Sequence, residues 1–187
     1  MKKLLVSLVF GAIVSLPLIA QNNSDTAHSG SAMSQRGMER IQEEVRHNLV
    51  LLPYYGVFDN LAYKVGPDGT VTLLGQVANP TLKSDAENVV KKIEGVEKVD
   101  NKIEVLPVSP SDDRIRRATY RAIYGNTALN RYAFQAVPPI HIIVKSGHVT
   151  LVGVVASAMD KQIAGTQANS VPGVFSVDNN LQVEEKQ

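Results

Sequence analysis

Apolar residues recur at helical spacing over Ile41, Val45 and Leu49, which predicts an amphipathic helix. Leu51-Leu52-Pro53 ends it, because proline cannot continue a helix. An aromatic loop, Tyr54 to Asn60, follows. β-branched and apolar runs then predict strands over Leu61 to Val65 and Thr70 to Val77. Pro67-Asp68-Gly69 between them is a turn, with φ fixed at Pro67 and a positive φ tolerated at Gly69, so the two strands form a hairpin. Asn79 and Pro80 open a second helix as N-cap and first helical position. Leu82, Ala86, Val89, Val90 and Ile93 form its apolar stripe, and Gly95 stops it where a left-handed residue is favoured. Val96 to Val105 supplies a third strand.

The pattern then returns. Gly69 to Val105 matches Gly147 to Val183 at a constant offset of 78 residues, without a gap. Val71-Thr72-Leu73 comes back as Val149-Thr150-Leu151, Gly75 as Gly153, Gly95-Val96 as Gly173-Val174, and Val99-Asp100-Asn101 as Val177-Asp178-Asn179. A period this long, in only two units, means two copies of one small domain and not a stacked array. In the second copy, Ile115, Ala118, Thr119, Ala122 and Ile123 mark the first helix. Ile140 to Lys145 and His148 to Val155 flank a Ser146-Gly147 turn, Ser157 caps a helix ending near Ser170, and Phe175 to Val183 closes the sheet. Leu82 is matched by Asp160 and Val89 by Gln167, so the last helix is less apolar in the second copy. Gly75, Gly95, Gly153 and Gly173 read as structural glycines. Gly75 and Gly153 interrupt strands, which signals close approach of a ligand, or else a bulge or tight helix packing.

Residues 1–20 read as an export signal. Lys2-Lys3 supply the charge, Leu4 to Ile13 is apolar or small apart from Ser7, and Ser15, Pro17 and Ala20 end it. The run is short for a span of about 20 residues, so cleavage near Ala20 and a periplasmic destination are expected. Residues 21–37 read as a polar tether, 38–106 as the first domain, 107–112 as a stiff proline-containing linker and 113–187 as the second domain. With no cysteine, disulfides, thiol catalysis and thiolate metal sites are excluded. Each copy must therefore hold itself by its core, at a size where only about 60% of the chain's surface is buried. The net charge of +1 falls to −1 once Lys2 and Lys3 leave with the signal, which argues against nucleic-acid binding. The copies differ: Ile41 to Val108 carries a net −3, and Ser111 to Gln187 a net +2.

A helix, a G-x-V-T-L-x-G-x-V strand and a helix closed by G-V-x-x-V-x-N-x-L/I together resemble the BON domain, named for bacterial osmotic-shock and nodulation proteins. Val71 to Val77 with Gly95 to Asn101 carries the resemblance in the first copy, and Val149 to Val155 with Gly173 to Leu181 in the second. It implies an α+β fold of two tandem αββαβ domains, each a three-stranded mixed sheet backed by two helices. It also implies a periplasmic protein associated with phospholipid membranes and envelope integrity. Tyr54 to Asn60 and Asn126 to Pro139 depart from the family pattern, being longer and more aromatic.

No catalytic set is visible, so the chain reads as a non-enzyme without a cofactor. His28, His47, His141 and His148 are scattered, and the two beside the second hairpin lack a third metal ligand. The sharpest local signal is the first helix of the second copy. At 100° per residue, Arg114, Arg117 and Arg121 gather beside its apolar face, with Tyr120 and Tyr124 adjacent and Arg116 on the far edge. Arginine pairs with phosphate in a fork and tyrosine favours the boundary between apolar and wet zones. These residues are the candidate contact for an anionic phospholipid surface. Four arginines at roughly 1 kcal/mol each give a dissociation constant of only about 1 mM. Tyr54, Tyr55, Phe58, Tyr132 and Phe134 are the candidate partner-binding residues, read either as a contact surface or as cover for an exposed sheet edge. The leading function is a non-enzymatic envelope protein resting weakly on phospholipid. The alternative is a protein–protein adaptor or self-assembling module, with an envelope protein or a second copy as partner.

Overall fold

The structure is a computed structural model that describes residues 33–135 and 137–184. The expected export signal and most of the expected tether lie outside the described residues.

Each half builds the anticipated αββαβ unit. Helix α1 (Gln35–Val50) opens inside the segment read as tether, where Ser34 accepts a hydrogen bond from the Gly37 amide as N-cap. Strands β1 (Asn60–Val65) and β2 (Thr70–Val77) form the hairpin, in register from Val65↔Val71 to Asn60↔Gln76. Helix α2 (Pro80–Val90) is capped by Asn79, whose side chain accepts from Thr81 N. It ends at Val90, five residues before Gly95, with Lys91 as C-cap still in right-handed conformation. Gly95, at φ +90°, turns the chain into the sheet and does not stop the helix. The third strand is broken into β3 (Lys98–Asn101) and β4 (Glu104–Val105), both parallel to β2. In the second copy come α3 (Pro110–Tyr124), a 3-10 turn (Asn130–Phe134), β5 (Ile140–Lys145), β6 (His148–Val155), α4 (Ala158–Asn169) and an unbroken β7 (Ser176–Val183). Its sheet order is β5-β6-β7, antiparallel then parallel, with β6 central as β2 is in the first.

Two separate cores follow from the matched apolar positions. Ile41 and Val45 of α1 meet Val71, Leu73, Leu82, Ala86, Val90 and Ile103 in the first. Ile115 and Ile123 of α3 meet Val149, Leu151, Ala164, Ala168 and Leu181 in the second. Each buried Leu or Ile contributes roughly 1.5–3 kcal/mol.

The residues shared by the copies serve this scaffold. A Cβ on Gly75 would lie 2.0 Å from Asn60 O, and one on Gly153 would lie 1.8 Å from Pro139 O, with φ at +107° and +125°. What approaches these glycines is the start of their own partner strand, in a conformation that L side chains avoid. The shared asparagines act in parallel. Asn101 Nδ2 donates to Lys83 O (3.0 Å) and Asn179 Nδ2 to Lys161 O (2.7 Å), tying the last strand to the helix before it.

The copies differ where their sequences part. The first hairpin turns through four residues, Gly66 to Gly69, and the second through two, with Ser146 and Gly147 at φ +53° and +80°. Positive φ at both turn positions matches the twist of a two-residue hairpin. The Asp112 carboxylate accepts from both turn amides at 2.9 Å, fastening α3 to the hairpin. Leu82 is wholly buried, whereas its counterpart Asp160 is buried as a polar node. Asp160 Oδ2 accepts from Tyr132 Oη (3.0 Å) and Ser157 Oγ (2.8 Å) and pairs with Arg131. Burial pushes its pKa up, but the hydrogen bonds from Ser157 and Tyr132 and the Arg131 charge outweigh that and hold the carboxyl below its ordinary value.

Candidate functional site

The aromatic loop of the first copy is built into the second. Ile142 N on the free edge of β5 donates to Val57 O (2.8 Å). His141 stacks on Tyr55 with ring centroids 5.5 Å apart, and its Nδ1 lies 3.3 Å from Gly56 O. That carbonyl only accepts, so Nδ1 carries the proton. Burial lowers the basicity of His141, keeping it neutral, and pushes the Tyr55 hydroxyl up to about 12. Asp59, itself buried, accepts from Gly56 N (3.1 Å) and Ala78 N (2.8 Å) and fixes the loop. Lys145 Nζ reaches Glu104 Oε1 (2.6 Å) across the same joint. Val57 and Phe58 pack against the second copy's core.

This joint places Phe58 against α3, 6.2 Å edge-on from Tyr120. An open cleft of about 560 Å³ results, lined by Val57 and Phe58 from the first copy, and by Arg117, Tyr120, Arg121, Ala133, Gln135 and Pro138 from the second. Its lining is apolar apart from two guanidinium groups, Gln135 and the Tyr120 hydroxyl. Positions 114, 117 and 121 lie three and four residues apart and share a helix face. All three arginines are exposed. Arg114 reaches only Ser111 Oγ, at 3.5 Å. Among the described residues, Arg117 and Arg121 have no carboxylate within 4.0 Å. Four other arginines are neutralised: Arg40 by Glu94, Arg46 by Glu43, Arg116 by Asp113 and Arg131 by Asp160; Arg36, at the start of α1, has no carboxylate within 4.0 Å among the described residues. On the first copy's matching helix, Arg46 pairs with Glu43 and Arg40 with Glu94, which leaves Arg36 alone unpaired among the described residues.

Four expectations from the sequence need correction. Tyr124 is buried; its Oη donates to Ile140 O (2.6 Å) and accepts from Ile140 N (3.1 Å), so it closes the end of β5 and is not a surface contact. Burial raises its hydroxyl well above the ordinary value. Arg116 points inward, donating to Val144 O at 2.7 Å, which leaves three exposed arginines on the helix where four were counted. Tyr132 is buried, because its hydroxyl serves Asp160 and accepts from Ala156 N (2.8 Å). Tyr55 and Phe58 are occupied within the chain by His141 and Tyr120. Of the expected partner-binding set, Tyr54 and Phe134 remain open, at 76% and 86% exposure.

The sequence separated the basic helix from the aromatic loops, and the fold joins Arg117, Tyr120 and Arg121 to Phe58 in one cleft. Val57, Ala133 and Gln135 were not anticipated there. The available signal was the length of the two loops that carry them. His141 and His148 do not face each other, since His141 sits opposite Val152 and His148 opposite Lys145. Among the described residues, no three His, Asp or Glu side chains are grouped to hold a metal ion.

The BON domain family model matches residues 39–107 and again 112–185. No curated protein matches the chain. Among solved structures, it is similar to CdsD, a structural protein of the type III secretion system of Chlamydia trachomatis. That likeness has 13% identity and a TM-score of 0.30, covering 78% of this chain and 94% of that one. A structure of the CdsD C-terminal domain is similar at 13% identity and a TM-score of 0.26, covering 76% and 96%. Neither likeness is close enough to carry an argument.

Proposed function

The chain belongs to the BON domain family, with two BON domains in tandem, and from that premise we propose that it is a non-enzymatic periplasmic protein whose second domain rests weakly on anionic phospholipid. Membership suggests an envelope-associated role, and the family is generally non-catalytic. In this reading residues 1–20 export the chain and are removed near Ala20. Among the described residues, no helix is long and apolar enough to cross a membrane, so the contact with lipid is peripheral. Its role there is to support envelope integrity or stress tolerance.

The observation that carries the reading is the row of exposed arginines, Arg114, Arg117 and Arg121, without carboxylate partners among the described residues. At roughly 1 kcal/mol each beside an anionic surface, three arginines give a dissociation constant of about 6 mM. An apolar contribution is therefore needed. Phe134 supplies a candidate, because it is exposed and its neighbours Ala133 and Gln135 line the cleft. Burying it in the interfacial layer adds about 2 kcal/mol, or ~30-fold. Binding then falls steeply with salt, because the charges are exposed. Co-sedimentation with vesicles tests this. Binding to phosphatidylglycerol vesicles at low salt, lost at high salt and absent on phosphatidylcholine, supports the reading. No sedimentation with anionic vesicles at low salt contradicts it.

A further inference from the structure

We infer that the cleft between the Val57-Phe58 loop and α3 is a site for one single-chain amphiphile with a phosphate head and a chain of medium length. The inference rests on the phospholipid reading for the phosphate on Arg117 and Arg121, and adds a bound chain, hence a one-to-one complex with a lipid monomer. Three features carry it. First, the two guanidinium groups stand one helical turn apart with no carboxylate between them among the described residues. A carboxylate takes one guanidinium fork across its two oxygens, whereas a phosphate offers at least three oxygens and a larger charge for two. Second, the rest of the wall is mostly apolar: Val57, Phe58, Ala133 and Pro138 with the Tyr120 ring, beside Gln135. A free inorganic ion would leave that wall wet. Third, the size fits. At about 30 Å³ for each water-sized group, a cleft of about 560 Å³ takes roughly 19 of them, which is one phosphate and one chain of about a dozen carbons. Two chains do not fit.

The site exists only because the two domains are joined, since Val57 and Phe58 come from the first domain and the arginines from the second. Either domain alone presents half of it.

The test uses the full chain and dodecyl phosphate held below its micelle concentration, followed by titration calorimetry and by the amide NMR shifts of residues 57, 120 and 133. The expected result is one-to-one binding, at least tenfold tighter than inorganic phosphate and tighter than dodecanoate. Ala133→Phe fills the cleft and is expected to weaken binding at least tenfold. Gln135→Trp does so from the exposed rim, should the first variant disturb the fold. Both keep the arginine face. Dodecyl phosphate binding no tighter than inorganic phosphate, or binding Gln135→Trp undiminished with a native spectrum, overturns the inference. Vesicle sedimentation reports on the surface reading separately. Monomer binding without sedimentation keeps the cleft and discards the surface, and the reverse discards the cleft alone.

Discussion

The two domains carry one scaffold and two surfaces. At matched positions, Leu82 fills the first core while Asp160 sits buried in the second, held by Ser157, Tyr132 and Arg131. The carboxylate is tolerated because the segment from Asn126 to Pro139, peculiar to the second copy, brings the tyrosine and arginine to it. The first helices diverge in the same way. On α1 the Arg46 charge is cancelled by Glu43, and on α3 three arginines are left exposed without a carboxylate among the described residues. Residues kept between the copies, such as Gly75 and Gly153 or Asn101 and Asn179, hold strands and helices in place. Residues that differ make the cleft. In a duplicated fold of this kind, identity between copies marks architecture, and divergence marks where the copies took separate roles.

The sharpest way to probe that contrast is at the Leu82 and Asp160 pair. Leu82→Ala opens a cavity in an apolar core and is expected to cost about 3–4 kcal/mol. Asp160→Ala removes a hydrogen-bonded node whose arginine partner is half exposed, and is expected to cost about 2 kcal/mol. Urea denaturation measures both, and equal costs would erase the distinction between the two cores. Gly75→Ala and Gly153→Ala probe what is shared. Each sets a Cβ against a partner-strand carbonyl at positive φ, and each is expected to cost about 3 kcal/mol. A large effect in one copy only would break the claim of a common scaffold.

The joint responds to pH with a definite sign. His141, whose basicity is lowered chiefly by burial, holds fewer protons folded than unfolded. Its stabilising share is therefore complete above its ordinary value of 6.5 and is lost as the pH falls from there. The protection factor of the Ile142 amide, which donates to Val57 O, is expected to fall as the pH drops below 6.5, once the intrinsic pH dependence of exchange is divided out. Replacement of His141 by glutamine should flatten that dependence; an unchanged pH profile in the variant would remove the histidine from the account. The smallest effect is expected at the exposed pair of Lys145 and Glu104. Lys145→Ala should cost under about 1 kcal/mol in thermal unfolding, and a larger loss would mean that the ion pair, not the Val57 contact, holds the joint.

Much of the architecture was legible because the periodicity was strong. The apolar stripe of the first helix, the hairpins, the caps at Asn79 and Ser157 and the order of elements all appear where their residues require. The exit from α2 was not, because Gly95 offers a left-handed position that the chain uses five residues later than the helix end. At the site, Arg114, Arg117 and Arg121 were readable from helical spacing. Tyr124 and Arg116 were not, because a helical wheel does not reveal which polar tips find a backbone carbonyl inside: Ile140 O for the one and Val144 O for the other. The cleft was illegible for a different reason. It arises from residues more than fifty positions apart, joined by the bond from Ile142 N to Val57 O, and no local pattern encodes that pairing.

The central claim is that the second domain, and not the first, meets anionic lipid. Charge reversal on the two matched helices tests it directly, by sedimentation with phosphatidylglycerol vesicles at low salt. The paired change Arg117→Glu with Arg121→Glu is expected to abolish binding, while Arg46→Glu on the first domain leaves it unchanged. Equal binding by both variants, or loss of binding with Arg46→Glu alone, would contradict the account.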